Sequence, residues 1–223
     1  MSKGVAPLLL RSVPVFSGLN EARLAALAAE ASLKRAGRNE VVLREGDPTD
    51  SVYFVLSGRL RVLVSDAEGR EVILSMLGAG NLFGEIGVID DNPRSATVVA
   101  AEASDLVVFR KEDFRRCLAD HFDITLAIMR GLATRLRLAD QRIESLALLD
   151  VYGRVAHLLL ELAETRNGCK VVPQRLTKQD IAKMIGASRE MVSRVMKDLM
   201  HQGLIEERDG EIVLRDEVPE TMK

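Results

Sequence analysis

The sequence predicts a mixed α+β chain: short strands closing into an antiparallel barrel or double-sheet roll, one long helix, and a C-terminal helix-turn-helix with a β-hairpin wing. Three observations carry that prediction. Between Val41 and Phe109, β-rich runs alternate at even spacing with turns containing Gly or Pro. From Ile124 to Leu149, apolar residues recur every three or four positions, with no Gly or Pro after Gly131. From Leu176 to Leu199, two amphipathic segments flank Gly186, each preceded by a capping residue.

The composition sets the frame for these elements. At 223 residues, 47% apolar and 29% charged, the chain suits one or two globular domains. No run of 18 apolar residues occurs, and the apolar triplet before Arg11 and Pro14 is too short for a signal-peptide core. A cytoplasmic protein with no membrane partner is therefore expected. Cys117 and Cys169 stand far apart without CxxC spacing, which fits two free thiols rather than a disulfide, zinc or iron–sulfur site. The net charge of −2 is unevenly spread. Residues 175–200 carry six Lys/Arg against three Asp/Glu, whereas 206–220 carry seven acids against two bases. A confined basic patch fits a nucleic-acid contact, and a solvated helix face would look similar.

In chain order, a first helix starts at the N-cap Asn20 and places Leu24, Leu27 and Ala28 on one face. Strands are expected at 41–43, 51–56, 59–64, 71–77, 96–101 and 105–109. Their turns are marked by Glu45-Gly46-Asp47-Pro48, Ser57-Gly58, Glu68-Gly69 and Gly78-Ala79-Gly80. On the long helix, Met129, Leu132, Leu136, Ala139, Ile143 and Leu146 repeat every 3.5 residues on average. That is the seam of a two-stranded coiled coil and implies a homodimer. A helix packing this stripe on its own domain is the alternative. Gly131 weakens the helix by roughly 1 kcal/mol. The seam stops at Asp150, ahead of a new amphipathic run from Val155, and a loop at 165–169 leads through Val171, Val172 and Pro173 to the last motif.

One stretch breaks the strand rhythm, running from Gly84 to Thr97. Gly84 and Gly87 let the backbone approach a ligand, Arg94 offers a fork of donors to a phosphate, Ser95 adds a hydroxyl, and Glu85 supplies an acceptor for sugar hydroxyls. A salt bridge across an ordinary loop would use some of the same residues. In the last motif, Thr177 with Asp180 caps the first helix and Ser188 the second. Ile181, Ala182, Ile185, Val192, Val195, Met196 and Leu199 form the buried side. Arg189, Glu190 and Arg194 are left outward, where an Arg can take guanine O6 and N7 and a Glu can accept from cytosine N4. Residues 203–206 and 211–214 supply the wing, with Asp209-Gly210 as its turn.

From Phe16 to about Leu214 these motifs stand in an order that resembles the cAMP receptor protein and fumarate-and-nitrate regulator superfamily of bacterial transcription factors. The resemblance implies a cyclic-nucleotide-binding β-roll with flanking helices at 1–122, a dimerisation helix at 123–149, and a winged helix-turn-helix at 150–223, with Asp150 at the hinge. It implies an effector site of Gly84, Glu85, Ile86, Arg94, Ser95, Ala96, Arg135 and Asp140. There Glu85 would bind the ribose 2′-hydroxyl, and Arg94 with Ser95 the cyclic phosphate. The adjacent Thr and Ser that contact adenine in the cAMP receptor protein are Ala139 and Asp140 here, which leaves the nucleotide open: cAMP is the first choice and cyclic di-GMP the alternative. DNA binding without an effector is a further alternative.

The same resemblance assigns Thr177, Lys178, Ser188, Arg189, Glu190 and Arg194 to double-stranded DNA. The site would be an inverted repeat with half-sites similar to TGTGA, and RNA polymerase would be a possible further partner. The iron–sulfur and haem branches of the superfamily are not matched, because no cysteine precedes Cys117 and no histidine precedes His121. No metal is expected. No catalytic constellation is present and no segment remains for a catalytic domain, so a cyclic nucleotide would be sensed and not hydrolysed.

Overall fold

The computed structural model describes residues 5–172, 176–208 and 210–215, in two units that meet inside one helix, between Thr134 and Arg135. The first unit opens with α1 (Pro7–Arg11), a 3-10 turn and α2 (Glu21–Glu30). Asn20 caps α2 by accepting from the Arg23 N–H at 3.0 Å, and Leu24, Leu27 and Ala28 are buried, as the spacing predicts.

The strands that follow are β1 (Ser32–Ala36), β2 (Val41–Leu43), β3 (Ser51–Ser57), β4 (Leu60–Ser65), β5 (Glu71–Leu77) and β6 (Leu82–Phe83). A short helix α3 (Ile86–Ile89) intervenes before β7 (Thr97–Ala100) and β8 (Ser104–Arg110). They make two antiparallel sheets, ordered β1-β8-β3-β6 and β2-β7-β4-β5. β1 and β6 extend the sequence expectation. The Ser-Leu-Lys-Arg-Ala run of β1 is too polar to read as a strand, and its register is imposed by pairing with β8, Ser32 opposite Val108.

Between the first sheet and the helices lies an aromatic cluster. Phe16 meets Phe54 with ring centroids 4.9 Å apart, and Phe109 and Phe114 pack on Phe54. The helix α4 (Lys111–Asp120) closes this core with Phe114 and Cys117. Burial pushes the Cys117 thiol up to about 11, so it acts as a small apolar side chain.

The long helix α5 (Phe122–Leu148) begins two residues earlier than the periodicity predicts. Ile124 and Ile128 are buried in the first unit's core and Leu132 packs against it, so at its start the helix packs on its own domain. Beyond Leu132 the stripe is open: Leu136 is 64% and Ile143 65% exposed.

In the second unit, α6 (Val151–Leu162) starts at Asp150, whose carboxylate accepts from the Gly153 N–H at 2.8 Å. The expected loop at 165–169 is instead a hairpin of β9 (Glu164–Arg166) and β10 (Cys169–Val172). Asn167 and Gly168, both with positive φ, form its two-residue turn. The helices α7 (Lys178–Ile185) and α8 (Arg189–His201) are followed by the wing strands β11 (Ile205–Arg208) and β12 (Glu211–Leu214), which join the hairpin in the order β11-β12-β10-β9. Asp209 of the expected wing turn, and Pro173, lie outside the described residues.

Candidate functional site

The cassette from Gly84 to Ala96 is held to the roll by its own backbone. Arg94 N–H donates to the Asp47 carbonyl, and the Arg94 carbonyl accepts from Gly46 N–H, both at 2.9 Å. This two-way pairing fixes the Arg94 side chain against β3. Its Nη1 donates to the Gly84 carbonyl at 2.8 Å, and its Nη2 to Ser51 Oγ at 3.1 Å and Asp50 Oδ1 at 3.2 Å. Buried as it is, the guanidinium is satisfied by acceptors on both sides. Asp50 and Ser51 were not legible as part of this site, because they lie in a turn-and-strand segment more than 40 residues earlier.

The two cassette glycines answer to space and conformation. Gly84 has φ +76, and a Cβ there would stand 2.8 Å from Arg94 Nη1. At Gly87 a Cβ would collide with the Asn92 carbonyl and with Thr49 Oγ1, which donates to that carbonyl at 2.9 Å. Glu85 is 1% exposed beside them, a buried carboxyl in a region where an apolar residue would pack at lower cost. Ala96 is buried, whereas Ser95 and Ile86 face solvent. The structure thus brings Gly84, Glu85 and Arg94 together. Arg135 and Asp140 are exposed on the part of α5 that belongs to the second unit.

The rim of the cassette is tied to α4. Asp91, at φ +60, accepts from Lys111 Nζ at 2.5 Å and from Arg115 Nη2 at 2.7 Å, while Arg115 Nε and Nη2 also donate to the Val88 carbonyl. The hydrogen bonds from Arg115 and Lys111 hold the Asp91 carboxyl down to about 2.

In the second unit the capping residues stand as the sequence reads. Thr177 and Asp180 form a reciprocal capping box, and Ser188 Oγ accepts from the Met191 N–H at 3.2 Å. Gly186, at φ +64, makes the turn between α7 and α8. Val192, Val195, Met196 and Leu199 are buried, which leaves Arg189, Glu190 and Arg194 exposed. Those three share an open concavity of about 430 Å³ with Ser193 and Lys197. The last two escaped the sequence reading, although their spacing of four and eight from Arg189 places them on the same face. An outward helix face with cationic, anionic and hydroxyl side chains is chemically equipped for the major groove.

Among the described residues no helix is long and apolar enough to cross a membrane, and no cluster of potential metal ligands occurs. Comparison with known proteins matches residues 33–121 to the cyclic nucleotide-binding domain family and residues 153–218 to the Crp-like helix-turn-helix domain family. The chain is 31% identical over 212 residues to the CRP-like cAMP-activated global transcriptional regulator of Mycobacterium tuberculosis, covering 93% of this chain and 95% of that protein. It is 33% identical over 180 residues to the cAMP-activated global transcriptional regulator CRP of Salmonella typhimurium, covering 78% and 84%. Among solved structures it is similar to the c-di-GMP responsive global regulator CLP of Xanthomonas campestris, with TM-score 0.73 and 28% identity, covering 87% of this chain and 99% of that one. DNA binding and dimeric organisation go with these likenesses, and catalysis does not. The chain therefore belongs to the CRP/FNR family of transcription regulators, joining a cyclic-nucleotide-binding domain to a Crp-like helix-turn-helix.

Proposed function

We propose that this chain is a cytoplasmic, homodimeric regulator that binds cAMP in the Gly84–Ala96 cassette and reads an inverted repeat with α8. The observation that carries the reading is the burial of both Arg94 and Glu85 in one cassette, with Arg94 donating to the carbonyl of Gly84, the residue before Glu85. A cyclic nucleotide presents one anionic phosphate and one ribose hydroxyl. A guanidinium and a carboxylate in one cassette match those two groups in charge and hydrogen-bond sense. Ser95, Ala96 and Ile86 complete the cassette, and Arg135 and Asp140 of α5 add contacts to phosphate and base. The activity named for the relatives of Mycobacterium tuberculosis and Salmonella typhimurium supports cAMP.

On DNA, Arg189 and Arg194 take guanines and Glu190 a cytosine of a half-site similar to TGTGA, while Thr177, Lys178 and Ser188 touch phosphates. RNA polymerase is a further partner in this reading. A second reading, cyclic di-GMP as effector, is favoured by Ala139 and Asp140 standing where hydroxyl side chains contact adenine in the cAMP receptor protein, and by the likeness to the Xanthomonas campestris regulator. Isothermal titration with cAMP, cGMP and cyclic di-GMP, followed by binding to an inverted repeat with each, decides between them. Heat with cAMP alone and tighter DNA binding support the first reading; heat with cyclic di-GMP alone supports the second.

A further inference from the structure

The division between the two units places the last part of α5, from Arg135, in the same body as the helix-turn-helix. This segment carries two faces. Leu136, Ala139 and Ile143 form the open stripe, whereas Arg142, Ser145 and Leu146 line a cavity of about 30 Å³ against α6 and α7, room for one water. The apolar core of this unit is built from α6, α7, α8 and the sheet, and no α5 side chain belongs to it. Leu146 borders that core, lining the cavity with Leu158, Met184 and Ile185, and an ion pair joins α5 to α6 beside it. Arg142 Nη2 donates to Glu161 Oε1 at 2.8 Å, with the two side chains 26% and 13% exposed.

Arg142 stands about two helical turns before Asp150 and Glu161 about three turns after it, so the pair closes the corner between α5 and α6. From α6 the connection runs on to the helix-turn-helix. Arg154 Nη1 donates to the Ile185 carbonyl at 2.9 Å, one residue before Gly186, and a Cβ on Gly186 would lie 3.9 Å from Leu146 Cδ2.

We infer that Arg142 and Glu161 are positioning residues for DNA recognition: their ion pair sets the angle of α6–α8 on the seam helix, and thereby the separation of the two recognition helices in the dimer. The inference rests on the reading of α5 as the dimer seam and α8 as the reader. A partly buried pair can do this where an exposed one cannot, because water screens it less and its geometry is held by the surrounding side chains. Without it the corner loses a charge-assisted contact between α5 and α6, and the Leu149-Asp150 link and Leu146 remain.

The test uses the full chain with saturating cAMP and inverted repeats of TGTGA half-sites whose centres lie about one helical turn apart, or one base pair more or less. The unaltered protein is expected to lose roughly tenfold in affinity on either altered spacer. Arg142→Ala and Glu161→Gln should each shrink that loss to about threefold or less while keeping the half-site base preferences, and the exchange Arg142→Glu with Glu161→Arg should restore it. If the single variants keep the full spacer penalty, or weaken all three spacers alike, the pair is only structural and the inference is overturned. Failure of the charge exchange to restore the penalty, in a protein that melts normally, also overturns it. Failure of the underlying reading looks different: the unaltered protein would itself ignore the spacer and sediment as a monomer, or Arg189→Ala would leave base preference unchanged.

Discussion

Arg94 and Asp50 meet across 44 residues of sequence, a guanidinium 3% exposed donating to a carboxylate 85% exposed. The arginine is thereby fixed before any effector arrives, and the proposed phosphate contact would add a binding role to this structural one. Arg94→Ala should abolish cyclic-nucleotide binding by titration. It should also lower the urea-unfolding free energy of the first unit by about 1–3 kcal/mol, because the Gly84 carbonyl and Ser51 hydroxyl lose a buried donor. Arg94→Lys should restore part of the stability but little of the binding, since an ammonium cannot serve acceptors on two sides with a planar fork. Tight binding by either variant would remove Arg94 from the phosphate.

The proposed ribose contact of Glu85 is tested by removing its carboxylate. Glu85→Ala should weaken cAMP by roughly 1.5–3 kcal/mol, the range of a hydrogen bond to a charged group, and weaken 2′-deoxy-cAMP much less. Equal losses for the two ligands would assign Glu85 to another partner.

The seam is tested at its two most open positions. Leu136→Asp combined with Ile143→Asp places four carboxylates in the dimer interface and should give monomers in sedimentation, with no preference for a palindrome over a single half-site. A persistent dimer would move the interface elsewhere.

The reader face separates specificity from affinity. Arg189→Ala should lose about 1–3 kcal/mol of discrimination at one guanine of each half-site, whereas Lys178→Ala should weaken all operators alike and flatten the salt dependence. Binding to single-base operator changes at two salt concentrations makes the comparison. A uniform loss for Arg189→Ala would contradict the assignment.

Asp91 links acidity to the cassette rim. Its carboxyl is held at about 2, below the ordinary value of 3.8, by Arg115 and Lys111, so it favours the folded state above pH 4 and ceases to do so as pH falls toward 2. Asp91→Asn should lower the urea midpoint near neutral pH, and the gap from the unaltered protein should close between pH 4 and pH 2. A gap that stays constant across that range would show that the ion pairs do not act through the carboxylate charge.

Much of this was legible because local signals agree with tertiary ones. The capping box of Thr177 and Asp180, the Asn20 and Ser188 caps and the buried stripe of α8 are dictated within a few residues, and the structure keeps each of them. What escaped depends on pairing at a distance. β1 is a strand because β8 offers it an edge, and the Arg94 partners come from β3 and the turn before it. The Asp91 contacts come from α4, some 20 residues on. No window of sequence contains those partners. The hairpin of β9 and β10 is a different case. Asn167-Gly168 is a signal for a two-residue turn, but the flanking Glu164, Thr165 and Arg166 are all exposed and show no alternation.

On the reading of α5 as the dimer seam, its open stripe ties the molecule's durability to its abundance. A chain whose apolar seam is satisfied only by a second copy has no single unfolding free energy: dilution exposes the stripe, and crowding of copies covers it. The melting temperature should therefore climb with protein concentration, and a cell that makes little of this regulator holds it in a form more readily lost to proteases. Its expression level would then act as an input of its own, alongside the effector.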